Sequence, residues 1–189
     1  MRITIVGLVT ALLLACSCDS APPEPTSAPT KAAPRAAALK WKVPPTWTLT
    51  KSAERGKYRA KYEVPPQGDA KHPAELLIYK TDDADADLDD LTKQFEGQGA
   101  KSPTIDNKKV GPLGVRLLEI GGTYRFPMGP AMGKQKKRHA AHVLKSDWRA
   151  LGAAVATPNR GKWVFRLVGP SDTVSAAKSS FHNMINQLE

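Results

Sequence analysis

The sequence contains little cysteine: its 189 residues include Cys16 and Cys18, and the chain after them has none. Residues 19–189 therefore hold no disulfide and no thiol nucleophile. Acidic side chains are also few, because 18 Asp and Glu stand against 28 Lys and Arg, a net charge of +10. A positive excess of this size favours contact with anionic lipid head groups, cell-wall polymers or nucleic acid.

Several catalytic motifs are missing as well. The sequence has no Gly-x-Ser-x-Gly motif, phosphate-cradling loop or dinucleotide fingerprint, so a nucleophilic serine or a nucleotide-dependent enzyme has no sequence support. His139 and His142 are three residues apart, but Asp147 is the only carboxylate near them, and a zinc site needs further ligands. We expect no catalytic residue, no metal and no cofactor.

A hydrophobic run without any ionisable side chain extends from Ile3 to Ala15, directly after Arg2. A positive residue followed by such a run is typical of a secretory signal. As a helix the 13 residues would reach about 20 Å, less than the roughly 30 Å hydrocarbon core of a bilayer. The run is therefore predicted to be an export signal and not a permanent membrane span.

The run ends in Leu13-Leu14-Ala15-Cys16, which resembles the lipobox of bacterial lipoproteins. The resemblance implies that Cys16 receives a diacylglyceryl group and that residues 1–15 are removed. Loss of Arg2 would leave 27 basic and 18 acidic residues and a net charge of +9. Two alternatives stay open: Cys18 is lipidated instead, after a poorer approach sequence, or the run is an ordinary secretory signal with a cysteine near its end by chance.

The choice of cysteine bears on location. In the sorting rule of enteric bacteria, an aspartate directly after the lipidated cysteine favours retention in the inner membrane. Cys16 is followed by Ser17, whereas Cys18 is followed by Asp19. We expect lipidation at Cys16 and an outer-membrane protein that faces the periplasm or the cell surface. Export argues against nucleic acid as a partner.

Residues 16–39 are predicted to be the lipidated cysteine and a disordered tether, because prolines recur among Ala, Ser and Thr without apolar periodicity. Residues 40–189 then form one domain. Its first half contains segments with the alternation or apolar character of strands. These are two short pieces either side of Pro44-Pro45, a half-buried strand over 57–63 and a more central strand over 74–80.

The second half predicts a helix over about 85–96, a strand over 115–120 ended by Gly121-Gly122, and a hairpin of strands 149–157 and 162–169. The chain closes in a helix capped by Ser171 or Asp172. Its apolar residues at helical spacing are Val174, Ala177, Phe181, Met184, Ile185 and Leu188. This order indicates an α+β domain with a mostly antiparallel β-sheet flanked by helices.

Several motifs over residues 41–189 resemble those of a family of poorly characterised bacterial lipoproteins. They are Trp-x-Val-Pro-x-x-Trp at 41–47, Arg59-Ala60, Gly122-Thr123-Tyr124, Leu151-Gly152-Ala153, the stretch from Gly161 to Gly169-Pro170, and 181–184. The layout is similar to the PsbP-like α/β/α sandwich, which implies a domain that binds partners and does not catalyse. The Asp-rich run 82–90 departs from the pattern, which has a Gly-rich turn there.

The densest basic cluster consists of Lys134, Lys136, Lys137 and Arg138, followed by His139. Its Gly- and Pro-rich surroundings indicate an exposed loop, for which simple solvation is the plainer interpretation. The alternative is an anionic-surface site, because each cation near an anionic membrane contributes on the order of 1 kcal/mol.

Two further groups of residues are candidate sites. Asp83, Asp85 and Asp87 alternate as in a calcium loop, but Leu88 and Gln94 stand where that loop needs glycine and glutamate. Solvated acids at a helix start are the plainer interpretation. The four tryptophans could stack on sugars; core packing explains three of them, and Trp148, between Asp147 and Arg149, is the one to test for exposure.

Together these features predict a membrane-anchored lipoprotein of the bacterial cell envelope that acts as a non-enzymatic binding or scaffold module. Its expected partners are the membrane, through the lipid anchor, and an envelope protein or anionic polymer. The alternative is an enzyme or accessory subunit acting on cell-envelope material, which would need a cleft with converging polar residues.

Overall fold

The computed structural model describes residues 39–52, 59–127 and 142–189. Within these ranges the chain forms eight strands, two α-helices and one short 3-10 turn at Gly99–Lys101. The elements are β1 (Thr48–Ser52), β2 (Ala60–Val64), β3 (Ala74–Thr81), α1 (Ala84–Thr92), β4 (Phe95–Glu96), β5 (Thr104–Val110), β6 (Leu113–Pro127), β7 (His142–Thr157), β8 (Gly161–Pro170) and α2 (Ser171–Asn186).

The strands form one antiparallel sheet in the order β1-β2-β3-β8-β7-β6-β4, and β5 also pairs with β6. β3 lies between β2 and β8, which confirms the prediction of a central strand over 74–80. β7 and β8 pair from Trp148↔Pro170 to Thr157↔Gly161, which confirms the predicted hairpin. With its two helices, the domain is of the α+β class, as expected.

One face of the sheet is covered by α2. This helix buries Val174, Ala177, Phe181, Met184 and Ile185, and Leu188 is buried just after it, so the helical spacing was predicted correctly. They share a core with the inward residues of β3, β7 and β8, among them Leu76, Leu151 and Phe165. The predicted cap is wrong: Pro170 occupies the N-cap position and makes no side-chain hydrogen bond.

Three of the four tryptophans belong to this same core, as predicted. Trp47 and Trp163 are buried, and Trp41 packs at their edge with its ring centroid 5.9 Å from that of Trp163. The segment around Trp41 is not a strand, however; only the second of the two predicted short pieces is, as β1. Trp41 reaches the core from an irregular segment because an aromatic side chain needs only contact, not a ladder, to be buried.

The opposite face carries α1, whose buried residues Leu88 and Leu91 pack over the middle of β7. That strand presents small residues to the helix, and a Cβ built on Gly152 would lie 2.6 Å from Leu88 Cδ2. The helix can therefore sit close to the sheet there. At its start, the Asp83 side chain accepts a hydrogen bond of 3.3 Å from the Ala86 N–H, which confirms the predicted role of an acid at the helix start.

α1 is shorter than predicted. It ends at Thr92, and Phe95 belongs to β4, where it pairs with Tyr124 of β6. Phe95 matched the helical spacing of Leu88 and Leu91, yet its buried side chain reaches the same core from a strand. A periodic apolar residue near a helix end does not fix which side of the boundary it lies on.

β6 and β7 are longer than predicted and form a hairpin that runs past Gly121 and Gly122. Gly122 has a φ of +143°, and a Cβ there would lie 2.4 Å from the carbonyl oxygen of Glu96, so glycine allows β6 to pass β4. Opposite, β7 holds one extra residue between Trp148, which pairs with Gly122, and Lys145, which pairs with Tyr124. This is a β-bulge, and Asp147 within it has a φ of +56°.

β5 was not predicted at all. Its residues are mostly polar and exposed, so its sequence lacks the alternation that marks a half-buried strand. Backbone pairing with β6 defines it instead. No helix in the described part of the chain is both long and apolar enough to span a membrane.

Candidate functional site

α1 covers only part of its face of the sheet. Its nine residues extend about 14 Å, and their buried side chains rest on the β6, β7 and β8 side. Beside the helix a groove of about 510 Å³ opens over β2, β3, β8 and the β6–β7 hairpin. Its lining consists of Thr50, Lys61, Tyr62, Glu63, Pro73, Ala74, Glu75, Leu77, Tyr124, Phe126, Trp148, Arg166 and Val168.

Aromatic side chains form one wall of the groove. The rings of Tyr124 and Trp148 are parallel to within 3°, with centroids 5.5 Å apart, and Phe126 meets Tyr124 edge-on at 6.3 Å. Tyr124 is buried, Trp148 is partly exposed and Phe126 is 47% exposed. Trp148 packs against the core under α1 at its edge, directly after the bulge and opposite Gly122.

Arg166 lies on the floor of the groove, at the middle of β8. Its Nη2 donates two hydrogen bonds, 2.7 Å to Gln94 Oε1 and 2.5 Å to the Tyr124 hydroxyl, and that hydroxyl lies 3.1 Å from the same Gln94 oxygen. The three side chains therefore hold one another in place. The Nε atom of Arg166 is buried and makes no hydrogen bond.

No carboxylate of the described residues pairs with this guanidinium. None of the ion pairs among the described residues includes Arg166. Across the groove, Glu75 pairs with Lys61, and Glu63 is exposed to solvent. Arg166 is consequently a partly buried cation whose neighbours are neutral acceptors, an arrangement that costs free energy unless an anion approaches it.

A second, apolar pocket continues the groove at the β6–β7 hairpin. Its volume is about 400 Å³, and its lining is His72, Phe126, Val143, Lys145 and Trp148, so that it shares Phe126 and Trp148 with the groove. Beyond the bulge, Val143 and Lys145 face the same side as Trp148. A ligand held at Arg166 therefore has an apolar surface available along the hairpin.

The groove has the chemistry of a binding site. It combines the Arg166 guanidinium, an aromatic wall and aliphatic residues with a rim that carries Lys61, Glu63 and Glu75. Volumes of about 300–1,000 Å³ with few polar groups on an apolar surface are typical of small-molecule sites.

The residues predicted as sites lie elsewhere. Cys16 and the basic cluster of Lys134, Lys136, Lys137 and Arg138 lie outside the described residues, as does His139. The basic cluster belongs to the chain between the end of β6 and the start of β7, the two strands that carry the aromatic wall.

The predicted alternating acids do not converge. Asp83 caps α1, whereas the Asp85 carboxylate accepts a 3.3 Å hydrogen bond from Arg116 of β6. Among the described residues, no group of three or more His, Cys, Asp or Glu side chains is placed to hold a metal ion.

Sequence reasoning missed Arg166. The segment Trp163-Val164-Phe165-Arg166-Leu167-Val168 is apolar at every position but this one, and the flanking strand residues are buried. A single arginine in an otherwise continuous apolar strand is a signal, because an inward-facing charge must have a partner or a function. Gln94 and Tyr124, which hold it, lie far apart in sequence and carry no such signal.

A contrasting charge cluster lies on the α2 face. Glu119 of β6 accepts hydrogen bonds of 2.8 Å from Arg149 of β7 and 2.5 Å from Lys178 of α2. Burial opposes ionisation of this carboxyl, but the two cations outweigh it and lower the pKa of Glu119. His182 also has a lowered pKa, because burial and the nearby Lys108 and Lys178 disfavour its protonated form.

The motifs between residues 41 and 189 are the basis of the predicted resemblance to a bacterial lipoprotein family. The described geometry bears on the class of fold, α+β with helices on both faces of the sheet, and not on that family. The chain matches no protein-family model and no curated protein.

Proposed function

We propose that this chain is a lipid-anchored protein of the bacterial cell envelope, with a PsbP-like α/β/α domain that acts as a non-enzymatic binding module. The ligand site is the groove beside α1. The observation that carries the proposal is the unneutralised Arg166, held by Gln94 and Tyr124 on the floor of that groove.

A binding role follows from how Arg166 is held. Two neutral acceptors fix its Nη2, so the guanidinium is oriented before any ligand arrives, and little conformational entropy is lost on binding. The aromatic wall adds apolar surface without mobile side chains. Preorganised contacts of this kind favour affinity for a ligand that keeps its structure.

The N-terminal sequence supports the location. Lipidation at Cys16 anchors the chain, and residues 17–39, if extended like polyproline, span about 70 Å at roughly 3 Å per residue. This reach holds the domain clear of the lipid head groups and leaves the groove accessible. In a Gram-negative host, the outer membrane is the proposed address.

The anchor is tested by mass spectrometry of the mature N-terminal peptide from the native host. We expect a peptide that begins at Cys16 and carries the mass of a diacylglyceryl group. An unmodified Cys16, or a peptide that begins at Cys18, contradicts the assignment.

The groove is tested by photocrosslinking in living cells. A benzoyl-phenylalanine at position 126 lies in the groove, whereas the same group at position 144 lies on the opposite side of the same hairpin, where Leu144 is 59% exposed. We expect a small-molecule or polymer adduct from position 126 and none from position 144. Equal labelling from both positions, or none from either, contradicts a ligand site in the groove.

The basic cluster is proposed as a supplementary contact with anionic surfaces. The four cations Lys134, Lys136, Lys137 and Arg138, at about 1 kcal/mol each near an anionic membrane, would strengthen attachment in a salt-sensitive way. We expect the change of all four to Ser to weaken binding of the purified chain to anionic vesicles at low salt. Equal binding after that change removes the cluster from the proposal.

A further inference from the structure

We propose that the groove recognises a ring that carries a single carboxylate, such as a sugar acid or an aromatic acid, with the carboxylate at Arg166 and the ring against Trp148 and Phe126. This inference rests on the groove being the ligand site. It adds the chemical class of the ligand.

The need for an anion comes from the charge balance on the groove floor. Arg166 is partly buried, its hydrogen-bond acceptors Gln94 and Tyr124 are neutral, and its Nε is buried without a partner. Both hydrogens of its Nη2 are already donated, so Nη1 is the donor that can reach a ligand, and an arginine side chain remains charged at any physiological pH. A bound carboxylate would supply the counter-charge that the described residues do not.

The number of negative charges follows from the opposite rim. Glu75 and Glu63 both line the groove, and Lys61 neutralises only Glu75. A dianion such as a phosphate monoester would face Arg166 and also Glu63, which forms no ion pair among the described residues. A ligand with one negative charge can pair with Arg166 and is repelled less by Glu63 than a dianion is.

The ring follows from the aromatic wall. Trp148 has one neighbour in parallel stacking, Tyr124, and lines both the groove and the adjoining apolar pocket with Phe126. Flat apolar surfaces stack favourably on such side chains, and this holds for an aromatic ring or for the C–H face of a sugar. Both types of ring acid share the chemistry that the groove offers.

The experiment uses the full-length protein in non-ionic detergent, titrated by calorimetry with two matched pairs of probes. Glucuronate is compared with glucose, and benzoate with benzyl alcohol. We expect at least one acid to bind at least tenfold more tightly than its neutral partner, the factor that corresponds to a charge-assisted hydrogen bond. The pair that shows the difference identifies the ligand as a sugar acid or an aromatic acid.

Variants locate the effect. Arg166→Gln should reduce binding of the preferred acid to the level of its neutral partner. Arg166→Lys keeps the positive charge but not the planar guanidinium, and it should lose less of that binding. The matched control is Lys162→Gln, which removes a cation from the same strand but outside the groove lining. Trp148→Leu should weaken binding of the acid and of its neutral partner by a similar factor.

The outcomes separate this inference from the proposed function. If the neutral probes bind as tightly as the acids, or if Arg166→Gln keeps full acid binding in a folded protein, the ligand class is wrong and the groove remains a site. If no probe binds but position 126 still crosslinks in cells, the ligand class is again wrong. If no probe binds and position 126 fails to crosslink, both proposals fall. Should Arg166→Gln not fold, Arg166→Lys and the two probe pairs still decide.

Discussion

Two partly buried arginines on opposite faces of the sheet are held in opposite ways. Arg149 and Arg166 lie on the neighbouring strands β7 and β8, both are partly buried, and each has a buried Nε without a partner. On the α2 face, Glu119 neutralises Arg149 from within the fold. On the α1 face, Arg166 donates to Gln94 and Tyr124, which carry no charge, and it forms no ion pair with another described residue.

The difference follows from how much of each face its helix covers. α2, with 16 residues, lies over the core of one face and brings Lys178 to the Glu119 cluster. α1, with nine residues, leaves a groove beside it. An arginine beside a helix pairs within the fold on both faces, as Arg116 does with Asp85 and Asp89 of α1, whereas Arg166 lies in the open groove.

The largest effect on unfolding free energy is expected from the closed face, the one that α2 covers. Phe181→Ala deletes a fully buried ring of α2 and should cost about 3–5 kcal/mol of unfolding free energy. Phe126→Ala on the open face removes a ring that is 47% exposed and should cost well under about 1 kcal/mol. Thermal unfolding of the full chain, followed by circular dichroism, checks both; similar losses would mean that the hairpin aromatics are structural.

The charges come next. Glu119→Gln leaves Arg149 and Lys178 without their carboxylate, and because the site is only partly buried we expect a loss of about 1–2 kcal/mol. Arg166→Gln strands no carboxylate and should cost less, below about 1 kcal/mol for its two hydrogen bonds. Urea unfolding at pH 7 compares them. A greater loss in Arg166→Gln would show that this arginine serves the fold.

The aromatic stack is expected to contribute less again. Trp148→Leu removes the parallel contact with the Tyr124 ring and should cost about 1 kcal/mol. The same urea unfolding measures this loss, and Trp163→Leu, in the closed core, is the matched control that should cost more. Equal losses of unfolding free energy would mean that Trp148 contributes as much to the core as Trp163 does.

The smallest effect is a pH dependence. The lowered pKa of His182 means that the folded state disfavours its protonation, so its contribution is full above pH 6.5 and is lost as pH falls below 6.5 through the folded pKa. Glu119, also with a lowered pKa, loses its contribution only below pH 4.5. We expect His182→Gln to lose less stability than wild type between pH 7.5 and 5.5. If the unfolding free energy of His182→Gln depends on pH in the same way as that of wild type, the assignment to His182 is contradicted.

The elements that sequence predicted well are those whose burial repeats with a simple period. The α2 apolar positions are of this kind, whereas the β7–β8 hairpin is buried on both faces and was predicted from two apolar segments on either side of a turn sequence. The end of α1 and the extent of β6 were wrong, since Phe95 and Gly122 take their conformation from contacts between β4 and β6. The mostly polar strand β5 is defined by its backbone pairing with β6, which its sequence pattern does not indicate.

The candidate site was harder to predict than the fold. Arg166, Gln94 and Tyr124 come from β8, the segment after α1 and β6, and only the folded chain brings them within hydrogen-bond distance. The exposure test proposed for Trp148 pointed toward the site, but the bulge that sets the register beside it has no reliable sequence signal. The basic cluster and Cys16 remain predictions.

The bulge at Asp147 also determines which side chains at the end of the β6–β7 hairpin face the groove. Two residues, Ser146 and Asp147, stand opposite Thr123, so the alternation of side chains along β7 changes parity there. Deleting one of them would invert every position from 142 to the bulge, turning Val143 and Lys145 away from the apolar pocket and Leu144 into it. A single-residue deletion would thus change the residues that line one end of the groove, while the core of the sheet would stay in register.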